Sequence, residues 1–156
     1  MLRPALLVAS LLLACATVPA MSALPRHRVA GTFEVQVTSE PPYDTRPGAT
    51  LGRTGVEKQF QGPLTAQSHV EMLGARSEVK GSASYVALER VVGTLEGKAG
   101  SFVLQHVGSM ARGAMSLSVT VVPDTATGAL VGLEGTMTID IVEGQHHYAF
   151  EYALPR

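Results

Sequence analysis

Apolar and polar residues alternate strictly in many segments of this chain. In TFEVQVT, Phe33, Val35 and Val37 share one face, and polar side chains occupy the other. A period of two is typical of a β-strand with one buried face. The same pattern recurs in TLGRTGVEKQFQG, LTAQSHVEML, SASYVALERVVGTLEG, GSFVLQHVG, GAMSLSVTVV, ALVGLEGTMTIDIV and HHYAFEYAL. After about residue 30, no window shows a helical period, so the pattern predicts an all-β fold.

The number and spacing of these strands indicate a closed sheet. Turns containing glycine or proline separate the strands at intervals of about 8–12 residues, which is typical of antiparallel barrels and sandwiches. Because closure removes exposed strand edges, we expect a single antiparallel up-and-down β-barrel of about eight strands over residues 30–156. A barrel of this size is either filled by its own side chains or holds one small ligand. The segment EPPYDTRPGA contains three prolines and is predicted to be a loop.

The first 20 residues have the pattern of an export signal. Arg3 precedes an apolar run over residues 5–14, which is too short for the roughly 20 residues of a membrane span. Cleavage after VPA, residues 18–20, would release a periplasmic or secreted protein with a tether at 21–29. LLAC instead resembles a lipoprotein box, with a signal over 1–14 and a lipidated, membrane-anchored Cys15. Both cleavage sites are left open, whereas a buried N-terminal helix is disfavoured because no later segment offers it an apolar helical face.

Composition excludes several kinds of function. Cys15 is the only cysteine, so the mature domain has no disulfide, no thiolate metal site and no cysteine nucleophile. The net charge is −1 and the basic residues are scattered, so we expect no nucleic-acid partner.

Adjacent strand residues point to opposite faces, so His146 and His147 are not expected to share a metal ion. No phosphate loop or nucleophile elbow is present, and no cofactor is expected. Whether the chain is a monomer or a homo-oligomer stays open.

Three blocks of sequence carry a family resemblance. They are GSASYVALERVVGTLEGKAGSFVLQHVG, VVPDTATGALVGLEGTM and HHYAFEYALP. In this order they resemble the bacterial family known as domain of unknown function 3224, over about residues 31–155. That family is similar to the allene oxide cyclase barrel group, so the resemblance implies an eight-stranded antiparallel barrel and no established activity. The export signal departs from the family, whose members usually look leaderless, and so does the glycine-poor turn DTATG.

Two strands supply the first candidates for a ligand site in the barrel lumen. Phe102, Leu104 and His106 share one face of GSFVLQHVG. In the last strand, His146, Tyr148 and Tyr152 share a face with Phe150 and Leu154. Large apolar groups with a few polar tips are typical of a small-molecule pocket. Alternatively, each polar tip is satisfied by backbone or buried water, as buried tyrosines and histidines usually are.

The segment YVALER presents a choice between two faces. Tyr85 and Glu89 lie on one face, and Val86 and Leu88 lie on the other. If the Tyr85 face points inward, Glu89 is a buried carboxylate and a candidate general base in the lumen. The apolar character of Val86 and Leu88 favours the opposite orientation, which makes Glu89 a surface charge.

These observations lead to three functional hypotheses. The first is an exported barrel that binds a small apolar molecule in its lumen. The second, implied by the resemblance, is an isomerase or cyclase of the allene oxide cyclase type, which needs an apolar cavity and one or two polar groups. The third is a structural envelope protein with a packed barrel that associates with itself through its outer face.

Overall fold

The computed structural model describes residues 25–155. The predicted signal segment and the predicted lipidation at Cys15 lie outside the described residues. In residues 25–155, no helix is both long and apolar enough to cross a membrane.

Eight antiparallel strands form a closed barrel in the described part of the chain, in the order β1 to β8 with β8 paired back to β1. This confirms the predicted all-β barrel. The strands are β1 Arg26–Ser39, β2 Ala49–Gln61, β3 Leu64–Ser77, β4 Ala83–Leu95, β5 Lys98–Ala111, β6 Ala114–Val121, β7 Glu134–Val142 and β8 Gln145–Ala153, with one 3₁₀ turn at Gly128–Leu130.

The predicted start of the barrel differs from the structure. β1 begins at Arg26 and pairs with β8 from there, so the end of the predicted tether is part of the barrel wall. Between β4 and β5 the chain reverses at Glu96 and Gly97, which adopt φ of 47° and 80°. β4 continues without a break through Gly93, where a Cβ would lie 2.3 Å from the carbonyl oxygen of Thr65. Glycine at this position permits close strand packing rather than a bend.

The turn that departs from the family pattern is stabilised by its threonines. Asp124 and Gly128 adopt the left-handed conformation, with φ of 60° and 62°, so neither threonine has to. The Thr125 hydroxyl accepts from the Val103 N–H and donates to a backbone carbonyl. The Thr127 hydroxyl accepts from the Ser101 N–H. The threonines therefore fasten this loop to the edge of β5.

One half of the barrel is densely packed, and we call it the packed half. Aromatic rings from several strands stack inside it, with Phe102 and Phe150 5.8 Å apart and nearly parallel. Burying each such side chain stabilises the fold by about 1.5–3 kcal/mol. Its members are Val29, Phe33, Phe60, Leu64, Ala66, Val91, Leu95, Phe102, Leu104, Val119, Val121, Leu130, Leu133, Met137, Tyr148, Phe150 and Tyr152.

The other end, which we call the open half, is built by β1 to β6 without β7 and β8. β2 to β5 each have 13 or 14 residues, whereas β6 to β8 have 8 or 9. β6 and β7 meet at a single residue pair, Thr120 and Thr136. The long strands therefore extend past the closed ring as a curved wall. Some apolar residues of its inner face are exposed, including Val37, Met115 and Leu117.

Candidate functional site

A cluster of four polar side chains is buried where the packed half meets the open half. It comprises Lys58, Ser68, Glu89 and His106, which come from β2, β3, β4 and β5. Glu89 is 0% exposed and His106 is 4% exposed, and the Lys58 side chain is 8% exposed. We call this group the polar cluster.

The buried position of Glu89 corrects the preferred orientation of YVALER. The Tyr85 face points inward, and Val86 and Leu88 lie on the outer surface, 52% and 57% exposed. The apolar character of Val86 and Leu88 led to the wrong orientation, because a carboxylate can be buried when charged and polar donors from neighbouring strands surround it. Lys58 supplies such a donor from β2, and local sequence does not reveal that partnership.

Every donor in the polar cluster points at the Glu89 carboxylate. The Nζ atom of Lys58 lies 2.8 Å from Oε2, and the Nε2 atom of His106 lies 2.7 Å from the same oxygen. The Ser68 hydroxyl donates to Oε1. Lys58 also lies 4.9 Å from the centre of the Phe33 ring, where a cation is attracted by the aromatic face. The cluster therefore satisfies a buried negative charge and brings a positive charge close to it.

These contacts set the charge state of Glu89. Burial alone would raise the pKa of the Glu89 carboxyl, because it disfavours the charged form. The hydrogen bonds from His106, Lys58 and Ser68 and the positive charge of Lys58 outweigh burial and lower that pKa below its ordinary value. Glu89 is therefore a carboxylate at neutral pH and accepts the Nε2–H of His106.

The other ring nitrogen of His106, Nδ1, does not bond to Glu89. Among the described residues, no hydrogen-bond partner is found for Nδ1. Every fully buried side-chain nitrogen or oxygen in these residues does have a hydrogen-bond partner. Nδ1 therefore keeps some accessible surface. His106 is followed on its inner face by Gly108, which lines the open half. With Nε2–H held by Glu89, the lone pair of the unprotonated ring lies at Nδ1.

A cavity of about 460 Å³ occupies the open half. Apolar side chains form much of its wall, with the phenol ring of Tyr85 between the cavity and Gly108. It opens to solvent, since Met115 is 84% exposed and Leu117 is 43% exposed. The polar cluster does not line the cavity and lies deeper along the same strands. The side chains and backbone that form the wall come from Ser39, Glu40, Pro42, Thr50, Gly52, Arg53, Thr54, Met72, Gly74, Ala75, Arg76, Ala83, Ser84, Tyr85, Gly108, Ser109, Met110, Met115, Ser116 and Leu117.

The structure divides the lumen candidates into four groups. Tyr85 alone lines the cavity, and His106 and Glu89 form the layer below it. Phe102, Leu104, Tyr148 and Tyr152 belong to the packed half. His146 is half-buried and its ring lies 5.0 Å from that of Phe33.

The hydroxyl groups of both tyrosines of the packed half have hydrogen-bond partners within the protein. The Tyr148 hydroxyl accepts from the Leu64 N–H at 3.1 Å. The Tyr152 hydroxyl bonds to Glu96, and burial together with that carboxylate raises the pKa of Tyr152 to about 12. Neither hydroxyl therefore requires a ligand as its hydrogen-bond partner.

Sequence reasoning missed two members of the polar cluster and most of the cavity wall. Lys58 and Ser68 were not singled out, although Lys58 shares the inner face of β2 with Val56 and Phe60. A lysine on an apolar face is a signal for a buried ion pair, because an unpaired buried lysine is costly. Nothing in the sequence marked Met72, Met110 and Met115 as cavity residues, because the two ends of a strand have the same alternating pattern whether they are packed or open.

Together these features describe a small antiparallel barrel with one packed half, a buried ionised cluster and an apolar cavity above it. Residues 29–152 match the family described as "Protein of unknown function (DUF3224)", and the chain belongs to that family. A solved structure of a protein with unknown function from this family, from Shewanella oneidensis MR-1, is similar to it. That protein is 47% identical, with a TM-score of 0.80 over 85% of this chain and 100% of its own. No curated protein matches the chain.

Proposed function

We propose that this protein binds a small, mainly apolar molecule in the cavity of its open half. The observation that carries the proposal is the cavity itself, whose volume of about 460 Å³ lies within the range of roughly 300–1,000 Å³ typical of small-molecule pockets. Met72, Met110 and Met115 contribute flexible thioethers to its wall, and such side chains adapt to ligands of varied shape.

A purely structural barrel is less well supported. That hypothesis predicts a lumen filled by side chains, whereas only one half of this barrel is filled. Apolar side chains such as Leu117 would gain from being covered, because burial stabilises by roughly 25 cal/mol per Å² of apolar surface. An apolar ligand supplies that cover without changing the fold.

Mass spectrometry of the purified protein tests the proposal. We expect a mass excess under native conditions that disappears on denaturation. We also expect the ligand-free protein to bind the neutral fluorescent probe N-phenyl-1-naphthylamine saturably, with one site per chain. The proposal is contradicted if the native mass equals the denatured mass and the probe does not bind.

A second candidate function is proton-transfer catalysis of the isomerase or cyclase kind. The observation that favours it is the pairing of His106 with Glu89, which leaves Nδ1 as an acceptor one inner-face residue below the cavity. A histidine oriented by a carboxylate is a common general base. The resemblance of the family to allene oxide cyclases points in the same direction.

Proton exchange at carbon measures this activity without knowledge of the substrate. The probe is 2-tetralone, an apolar ketone whose α-protons exchange with deuterium in heavy water. We expect the protein to accelerate this exchange above buffer, and His106→Asn to abolish the acceleration while probe binding persists. If the protein accelerates nothing, or if His106→Asn accelerates equally, this candidate is excluded.

We also propose that the mature protein is exported. The support is the charged start and short apolar run of the first 20 residues. The denatured mass of the protein purified from the cell envelope distinguishes the two cleavage sites. A chain that starts at Met21 indicates simple export, a lipidated Cys15 indicates membrane attachment, and an intact Met1 contradicts export.

A further inference from the structure

We propose that the Tyr85 hydroxyl orients the bound molecule by donating a hydrogen bond to it, so that the ligand carries a neutral acceptor oxygen, such as a ketone, at its inner end. This inference rests on the proposed binding function and names the chemical class of the ligand. Tyr85 is the only one of the sequence-derived lumen candidates that lines the cavity wall.

Gly108 fixes the position of the Tyr85 ring. A Cβ built on Gly108 would lie 2.1 Å from Cε1 of Tyr85, so the ring lies directly across the glycine on the neighbouring strand. Tyr85 and Gly108 are paired positions of β4 and β5. An aromatic ring packed on a cross-strand glycine has few alternative rotamers, and a fixed ring holds its hydroxyl in a defined direction.

The Tyr85 hydroxyl is unused by the part of the protein that the structure describes. Tyr148 and Tyr152 each have a protein partner for their hydroxyl groups, and Tyr43 lies in a loop at 61% exposure. Among residues 25–155, no hydrogen-bond partner is found for the hydroxyl of Tyr85. Every fully buried polar side-chain atom in these residues does have a hydrogen-bond partner. The hydroxyl therefore keeps accessible surface at the cavity, where it can meet a ligand.

The surroundings of Tyr85 favour a neutral acceptor. Burial raises the pKa of the Tyr85 phenol, and the charge of Glu89 raises it further. The phenol thus stays protonated and acts as a donor. The same negative charge opposes an anionic group at this position, although Lys58 and Arg76, which lines the cavity wall, offset part of it. A ketone, ester or ether oxygen accepts the hydrogen bond without adding charge.

A matched pair of probes tests the inference. 2-Acetylnaphthalene and 2-ethylnaphthalene have similar size and differ by a carbonyl group in place of a methylene. We expect the wild-type protein to bind the ketone about fivefold more tightly, which is the effect of one net hydrogen bond. Tyr85→Phe keeps the ring over Gly108 and should abolish this preference, whereas Tyr152→Phe, in the packed half, should retain it.

The carbonyl stretch of the bound ketone gives an independent spectroscopic readout. We expect it at lower frequency in the wild-type complex than in the Tyr85→Phe complex, because hydrogen bonding weakens the C=O bond. If both probes bind equally to both proteins, the binding function stands and the role of Tyr85 is overturned. That role is also overturned if the preference for the ketone persists in Tyr85→Phe. If neither probe binds, the proposed function fails and the role of Tyr85 fails with it.

Discussion

The two halves of this barrel share strands β1 to β6 but differ in what fills them. In the packed half, Phe33, Phe60, Phe102 and Phe150 are each at most 2% exposed. In the open half, the corresponding inner-face positions hold glycine, threonine, methionine and leucine, and Met115 is 84% exposed. One end of the barrel thus supplies the core, and the other end leaves space that the fold does not need.

This difference shows how a small domain without disulfides can keep a cavity. Conformational entropy opposes folding by an amount close to the total gain from burial, so unfilled volume must be offset elsewhere. Here the aromatic rings of the packed half and the closed strand pairing of β1 and β8 provide that stability. The polar cluster lies between the packed half and the open half.

The largest expected effect compares one residue from each half. Phe102→Ala removes a ring that is 1% exposed, and we expect the free energy of unfolding to fall by about 3–5 kcal/mol. Met115→Ala should change it by no more than about 0.5 kcal/mol, because that side chain is mostly in solvent. Chemical denaturation of both variants measures the contrast. Equal losses would show that the two halves do not differ in their contribution to the core.

The second prediction concerns the border between the halves. Glu89→Gln leaves Lys58 buried without a counter-charge, so we expect the free energy of unfolding to fall by about 3 kcal/mol. Glu34→Gln, on the exposed outer face of β1, is the matched control and should change little. Urea denaturation at neutral pH compares the two variants. If Glu89→Gln has the same free energy of unfolding as the wild type, the cluster adds no net stability.

The pKa of Glu89 also predicts a pH dependence. Because the folded state lowers that pKa from its ordinary 4.5, the carboxylate stabilises the fold above about pH 4.5. This contribution is lost as the pH falls through the folded-state value. The wild-type protein should therefore lose stability in acid more steeply than Glu89→Gln does. Parallel acid profiles of the melting temperature would contradict this assignment.

The fourth prediction uses two glycines of the cavity wall. Gly108→Ala places a methyl group against the Tyr85 ring, and we expect a loss of about 1–3 kcal/mol with displacement of that ring. Gly52→Ala is the matched control, because a Cβ there meets nothing within 4 Å. Thermal unfolding together with ketone binding measures both effects. A Gly108→Ala protein that keeps wild-type stability and ketone preference would show that the ring is not fixed by this contact.

The smallest effect is expected on the outer surface. His69 lies between Glu57 and Glu71, with ring nitrogens 2.5 and 3.1 Å from their carboxylate oxygens, and these hydrogen bonds raise the pKa of His69 above its ordinary 6.5. The raised pKa favours the fold below about pH 6.5, and this contribution fades as the pH rises. Solvent screens such exposed pairs, so His69→Ala should leave the melting temperature and probe binding unchanged. A titration of His69 by NMR checks the direction, and a pKa below 6.5 would contradict it.

Sequence predicted the barrel because alternation and turn residues are local signals. It placed His106 on an inner face because Phe102 and Leu104 precede it with a period of two. It failed at Glu89, since the partner that makes burial of a carboxylate tolerable, Lys58, lies 31 residues away in β2. The location and most of the wall of the cavity could not be foreseen either, because they depend on which strands extend beyond the closed ring.

The most direct test of a binding cavity asks where an apolar probe binds. N-phenyl-1-naphthylamine is titrated into the wild-type protein, Leu117→Arg and Leu88→Arg. Leu117 lines the cavity and Leu88 lies on the outer face of β4, and both leucines are partly exposed, at 43% and 57%. We expect Leu117→Arg to lose binding and Leu88→Arg to bind like the wild type. Loss of binding in Leu88→Arg with full binding in Leu117→Arg would place the probe on the outer surface and contradict a binding cavity in the open half.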